Sequence, residues 1–170
     1  MTNIQNLLDR QPFVKSLMVQ IGEIASKQKK KAYAVGGAVR DVFIRKKLKE
    51  IDIMVIGDGI EFAKVVAKQM GIPKIVPFHR FSTAHIPSKP IPIEIAAARK
   101  ETYSKDSRKP NKVTYTNLEG DLLRRDFTVN AMAVDLLPDD FGNLYDPYNG
   151  LKDLLSCLLY TSPSPRDDEL

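Results

Sequence analysis

Two short segments hold residue types suited to phosphate and metal chemistry. In Val35-Gly36-Gly37-Ala38-Val39-Arg40-Asp41, two glycines end an apolar run and precede a helical pattern. Glycines between a strand and a helix let backbone N–H groups close around a phosphate, and the helix start adds favourable partial charge. Arg40 falls in the first helical turn, where a guanidinium can fork onto a pair of phosphate oxygens. Gly-Gly at a strand end is also ordinary turn chemistry, and both readings stand on this segment alone. The second segment is Glu50-Ile51-Asp52-Ile53. Read as a strand, it projects Glu50 and Asp52 to one face and buries Ile51 and Ile53 on the other. Two carboxylates so placed repel each other unless a cation lies between them. Hard oxygen donors suit Mg2+, and paired magnesium ions clamp in-line attack at phosphorus. The same letters also fit the exposed edge of an alternating strand.

The elements that must position these residues follow from periodicity. Asn3 to Lys29 reads helical and is divided by Pro12, with Phe13, Leu17, Ile21 and Ile24 on one face. Ala32 to Val35 reads as a strand, Ala38 to Lys46 as a helix, Ile51 to Ile56 as a strand and Ile60 to Met70 as a helix. Phe81 to Ile86 and Ile91 to Ala96 read as strands joined by the turn Pro87-Ser-Lys-Pro90. Arg99 to Asn117 is polar and aperiodic, which predicts a long loop or lid. Leu118 to Arg125 reads helical, Thr128 to Ala131 as a helical turn and Ala133 to Leu137 as a strand. Asp146-Pro-Tyr-Asn-Gly150 is a turn before a helix that starts at Leu151. The expected fold is mixed α/β (α+β), a small mixed sheet flanked by helices.

Gly-Gly, a twelve-residue spacer and then acidic-apolar-acidic-apolar resembles the signature of the polymerase-β nucleotidyltransferase superfamily. That resemblance implies a third acid on a neighbouring strand, and Glu94 in Ile93-Glu94-Ile95 fits it. Leu122-Leu-Arg-Arg-Asp-Phe-Thr-Val-Asn-Ala-Met-Ala133 resembles the Arg-Arg-Asp-Phe-Thr-x-Asn-Ala motif of tRNA nucleotidyltransferases (CCA-adding enzymes) and bacterial poly(A) polymerases. Ala98-Arg-Lys-Glu-x-Tyr103, Asp106-Ser-Arg-Lys-Pro110 and Asp146-Pro-Tyr-Asn-Gly-Leu-Lys-Asp153 resemble the head domain of the same family. The resemblance covers roughly Ala32 to Leu155 in the family's order.

What it implies is a polymerase-β-like nucleotidyltransferase fold and template-independent addition of CMP and AMP, from CTP and ATP, to the 3′ end of tRNA. Gly37, Arg40 and Arg125 would contact the nucleotide phosphates, beside the amides of Gly36-Gly37. Glu50 and Asp52 would hold Mg2+, and Asp126 and Asn130 would support the sugar and the motif's turn. A bacterial poly(A) polymerase and an A-only or CC-only adding enzyme share this head. A non-catalytic RNA-binding relic is the alternative from another class. Two positions depart from the pattern. Glu50 stands where the family usually has Asp, which keeps the charge and lengthens the reach. Arg45 stands where the family commonly has Gly, which predicts an altered turn.

Composition agrees without deciding. The chain has 170 residues, net charge +5 and 43% hydrophobic residues, enough for one domain with a sizeable core. The basic balance favours a polyanionic partner weakly. No run approaches the ~18 apolar residues of a membrane span, and no export signal opens the chain. A cytoplasmic protein is expected, and no protein partner follows from the sequence. The single cysteine, Cys157, excludes an internal disulfide. Residues Cys157 to Asp167, Cys-Leu-Leu-Tyr-Thr-Ser-Pro-Ser-Pro-Arg-Asp, resemble one reading frame of a transposase-based sequencing adaptor. The expected division is therefore a helical segment over 1–30, a truncated nucleotidyltransferase head over 31–156 and an adaptor-derived tail over 157–170. That tail is expected to carry no packed structure, and the natural gene to continue beyond codon 156.

Overall fold

The computed structural model describes residues 1–103 and 110–160. Short helix α1 (Gln5–Leu8) leads to α2 (Pro12–Lys27), with Pro12 at its start, where its missing N–H has no partner to lose. α2 buries Val14, Leu17, Met18, Ile21, Ile24 and Ala25. Phe13 lies at the edge of that stripe and is 47% exposed, so the buried face is centred on Val14 and Met18 rather than on Phe13. At Gly22 the helix lies directly on the chain beyond the sheet: a Cβ there would stand 1.7 Å from the Leu136 carbonyl oxygen.

Strand β1 (Ala32–Val35), helix α3 (Gly37–Phe43), strand β2 (Ile51–Val55) and helix α4 (Gly59–Gln69) follow in the expected order. Asp58 caps α4 by accepting from the Glu61 N–H at 3.1 Å. Strands β3 (Val76–Phe78), β4 (Thr83–Ile86) and β5 (Ile93–Ala97) come next. β3 escaped the sequence reading because its side chains are exposed on an edge and show no buried alternation.

Strands β6 (Arg99–Tyr103) and β7 (Pro110–Tyr115) pair antiparallel as a separate ribbon, which corrects the expected long loop. The ribbon stands outside the main sheet, so its sequence carries no apolar face to betray a strand. Residues 104–109, with most of the Asp106-to-Pro110 motif, lie outside the described residues. The chain closes with α5 (Leu118–Leu123), a 3-10 turn at Thr128–Asn130, β8 (Ala133–Asp135), β9 (Leu144–Tyr145) and α6 (Gly150–Tyr160).

The main sheet has seven strands in the order β3-β4-β5-β2-β1-β8-β9. Among the described residues only β2 and β5 run parallel; their register sets Asp52 beside Glu94 and Ile53 beside Ile95. One face carries the large core, in which Ile51, Ile53, Val55, Ile93 and Ile95 meet buried residues of the N-terminal helices. The other face is covered only in part, by a small cluster of Tyr33, Val35, Met54 and Ala133 under Leu118 and Leu122 of α5. The uncovered remainder holds the acids.

α6 crosses the boundary expected at Ser156 and ends at Tyr160, so the backbone of Cys157–Tyr160 is helical. Cys-Leu-Leu-Tyr contains no glycine or proline, and a helix already nucleated propagates through such residues. Leu154 is buried, Leu155 is half exposed and Cys157 is exposed. Residues 161–170 lie outside the described residues. Among the described residues no helix is long and apolar enough to cross a membrane.

Candidate active site

A cavity of about 360 Å3 opens on the partly covered face of the sheet. Its acidic wall is Asp52 on β2 and Glu94 on β5, which are register partners on adjacent strands. His85 on β4 pairs with Glu94 on its other side. Burial, first, and then repulsion by Glu50 and Glu94 push the Asp52 carboxyl up to about 6, with Arg125 acting in the opposite direction. Two carboxylates that oppose each other's ionisation form a hard-oxygen pair suited to a cation.

Glu50 departs from the expected geometry. Strand pairing begins at Ile51, whose N–H donates to the Pro92 carbonyl, so Glu50 lies in the bend before β2. It is exposed and does not line the cavity, although its charge is the largest of those raising Asp52. Among the described residues no group of three or more His, Cys, Asp or Glu side chains is gathered as a metal cage. The donors facing the cavity are therefore Asp52 and Glu94, with Glu50 within electrostatic reach.

The basic wall comes from three elements. Gly36 holds φ 65°, and a Cβ on it would stand 3.1 Å from Arg125 Nη1. Glycine is thus required here twice, for the backbone conformation and for the close approach of a guanidinium. The Gly36 N–H donates to the Met132 carbonyl, so the phosphate-cradling amides reduce to those of the first turn of α3, from Gly37 on. Arg40 is fixed on both sides: Nε and Nη2 donate to Asp41 Oδ1 at 3.1 and 3.0 Å, and Nη1 donates to Asn130 Oδ1 at 2.9 Å. Asn130 lines the cavity itself and holds Arg40 there.

The residue that sequence reasoning missed is Asp121 on α5, which is fully buried at 0% exposure. Its Oδ2 accepts from Arg125 Nη2 at 2.9 Å, and its Oδ1 accepts from Arg124 Nε at 3.2 Å and from the Arg99 backbone N–H at 3.0 Å. One carboxylate thereby orients two arginines of the cavity and the root of the β6–β7 ribbon. A signal was present: Asp121 precedes Arg124 and Arg125 by three and four residues on one helical stretch, the spacing at which side chains meet. Arg99, Arg124 and Thr83 also line the cavity without having been singled out. Asp126, by contrast, is exposed and outside the lining.

The motif Asp146-Pro-Tyr-Asn-Gly150 serves the site from behind. Asp146 accepts from the Gly150 and Leu151 N–H groups at 2.6 and 3.0 Å and so caps α6. Thr128 Oγ1 donates to Asp153 at 2.5 Å, tying the turn that carries Asn130 to that helix. Arg45 holds φ 59°, the left-handed conformation a glycine takes readily, so the turn after α3 keeps a glycine-like backbone where an altered turn was expected.

A cavity with one acidic and one multiply cationic wall can take a triphosphate by its charges and hold a cation opposite. Comparison with known proteins agrees with that reading. Residues 32–159 match the family model described as the poly A polymerase head domain. The chain is 44% identical over 124 residues to an A-adding tRNA nucleotidyltransferase of Aquifex aeolicus, covering 73% of this chain and 15% of that protein. It resembles the structure of a CCA-adding enzyme in an apo form, with a TM-score of 0.79 and 36% identity, over 91% of this chain and 37% of that one. A Thermotoga maritima CCA-adding enzyme complexed with tRNA matches with a TM-score of 0.74 and 34% identity, over 91% and 34% of the two chains. The chain therefore spans between about 15% and 37% of the length of these relatives.

Proposed function

The chain belongs to the family of the poly(A) polymerase head domain, and from that premise we propose that its cavity carries out template-independent nucleotidyl transfer to the 3′ end of tRNA. The observation that carries the proposal is the facing of Asp52 and Glu94 against Arg40, Arg124 and Arg125 across one cavity. In the reaction, a 3′-hydroxyl attacks the α-phosphate of CTP or ATP, a P–O bond forms, and pyrophosphate leaves. Arg40 and Arg125, with the Gly37 amide, bind and orient the triphosphate. Asn130 and Asp41 fix the Arg40 fork, and Asp121 fixes that of Arg125.

Enzymes of this family use divalent metal ions. The residues here fit one: Glu50 and Asp52 are the ligands proposed, Glu94 faces the same cavity beside Asp52, and a cation relieves the repulsion that Glu50 and Glu94 exert on Asp52. Mg2+ is the ion proposed, and when bound it supplies acidity to the attacking hydroxyl and neutralises phosphate charge. Asp126 is exposed and not among the lining residues, and its proposed part is to support the sugar and the turn of its own motif.

Addition of A alone is a second reading, favoured by the 44% identity over 124 residues to the Aquifex A-adding enzyme. The test is incubation of the chain, or of a longer protein carrying it, with labelled nucleotides and two tRNAs, one lacking CCA and one ending in CC. Extension of both indicates CCA addition, and extension of the CC-ending tRNA alone indicates A addition. Extension of neither, with nucleotide binding also absent, overturns the assignment.

A further inference from the structure

A second and larger concavity, about 810 Å3, lies between the α1–α2 junction, the loop after α3 and the turn before β5. Its floor is apolar, with buried Val14, Leu48 and Ile91. Its rim carries Arg10, Arg45, Lys47 and Lys49, and among the described residues no carboxylate lines it. All four cations are exposed, and none forms an ion pair with a described residue. Unpaired like charges around one hollow repel one another, which favours an anion that spans them.

Two features show that the rim is built. Gln11 straps the loop to α2, its Nε2 donating to the Lys46 carbonyl at 3.2 Å and its Oε1 accepting from the Leu48 N–H at 3.0 Å. Arg45 keeps its side chain at φ 59°, where glycine would fit without strain. The turn therefore tolerates a strained backbone and presents a cation to the groove.

We infer that this groove binds the phosphate backbone of the RNA that the neighbouring cavity extends. The inference rests on the nucleotidyltransferase reading for the identity of the polyanion; the groove's own charge and shape stand apart from it. Position supports it. Lys49 on the rim and Asp52 in the cavity are three residues apart in sequence, joined through the bend that precedes β2. Phe13, half exposed on the lining, offers a ring on which an unpaired base can stack.

The test uses a labelled RNA hairpin with a single-stranded 3′ tail, titrated by anisotropy against the chain at several salt concentrations. The triple variant Arg10→Gln, Lys47→Gln, Lys49→Gln is expected to weaken binding about tenfold or more and to reduce the salt slope by about two, at roughly 0.7 for each phosphate no longer neutralised. Binding of ATP with Mg2+ should be unchanged, which separates a failure of the groove from a failure of the cavity. Arg45→Gly distinguishes a binding role from a folding one, because it should raise the melting temperature while weakening RNA binding. A triple variant with wild-type RNA affinity and salt slope, or Arg45→Gly that melts higher and binds RNA as before, overturns the inference. So does preference of the groove for an acidic amphipathic peptide over RNA of equal charge.

Discussion

Along β2 and β5, successive residues face opposite ways. Ile51, Ile53, Ile93 and Ile95 enter a closed apolar layer, while Asp52 and Glu94 meet the half-covered face with a cavity over them. The first set is satisfied by burial alone. The second is held in place against its own electrostatics, since Asp52 is raised to about 6 by burial and by its acidic neighbours. The same backbone register thus carries a face optimised for stability and a face kept unfavourable until something cationic arrives. Asp121 on α5 shows the opposite arrangement: a wholly buried carboxylate satisfied by two guanidinium groups.

Substitution on the two faces should therefore have opposite consequences. Asp52→Asn is expected to reduce nucleotide incorporation by at least about a hundredfold, as loss of a metal ligand exceeds the usual effect of disturbing its support. The same change should stabilise the metal-free protein at neutral pH, by about 1–3 kcal/mol. The sign follows from the shift. A carboxyl whose folded value is raised from 3.8 to about 6 contributes its full stability below the unfolded value and loses it as pH rises through about 6. Wild-type stability should accordingly fall between about pH 4 and pH 6 relative to the Asn variant and run parallel to it above, as thermal melts across pH would show.

Ile53→Ala, on the other face, should lower stability by about 2–5 kcal/mol with no comparable loss of activity in the protein that remains folded. Equal damage to catalysis from both substitutions would erase the distinction between the faces. Asp121→Asn sharpens the comparison from the side of the cations. Releasing Arg124 and Arg125 from their carboxylate should raise the KM for nucleotide by about tenfold, roughly 1.4 kcal/mol, with a smaller change in kcat. Asp121→Glu should restore part of that loss. A drop in kcat at unchanged KM would show that Asp121 does not act through the arginines. The smallest effect is expected at the end of the chain: because Leu154 is buried and Ser156 and Cys157 are exposed, a chain ending at Ser156 should melt within a few degrees of the longer one, a shift of roughly 1 kcal/mol or less.

Much of this architecture was legible because burial imposes periods. The alternation of β2 and β5 and the stripe of α2 announce themselves, and so do Gly36, Gly37, Arg40, Asp52 and Arg125 by type and spacing. What escaped is what burial does not mark. Glu50 reads as a strand residue by alternation, yet pairing begins one residue later, at Ile51. The ribbon of β6 and β7 pairs outside the main sheet and is mostly polar in sequence, and β3 is exposed along an edge. Asp121 resembles any acid near a helix start until the fold closes over it, and Arg45 conceals a glycine-like turn behind a charged side chain.

The central claim, that the cavity grips the triphosphate end of a nucleotide with a divalent cation, is tested most directly by calorimetric titration of the chain with CTP, ATP, GTP and UTP in the presence of Mg2+. The described lining residues supply charge for phosphate and metal, and no described side chain is assigned to a base edge. The four affinities should therefore be weak and alike, because a site without dedicated base partners cannot discriminate strongly. They should disappear with chelator and weaken about tenfold or more in Arg125→Gln, a loss of roughly 1.4 kcal/mol. Binding that ignores chelator and the Arg125 substitution, or that prefers CTP and ATP by about tenfold, would contradict the account.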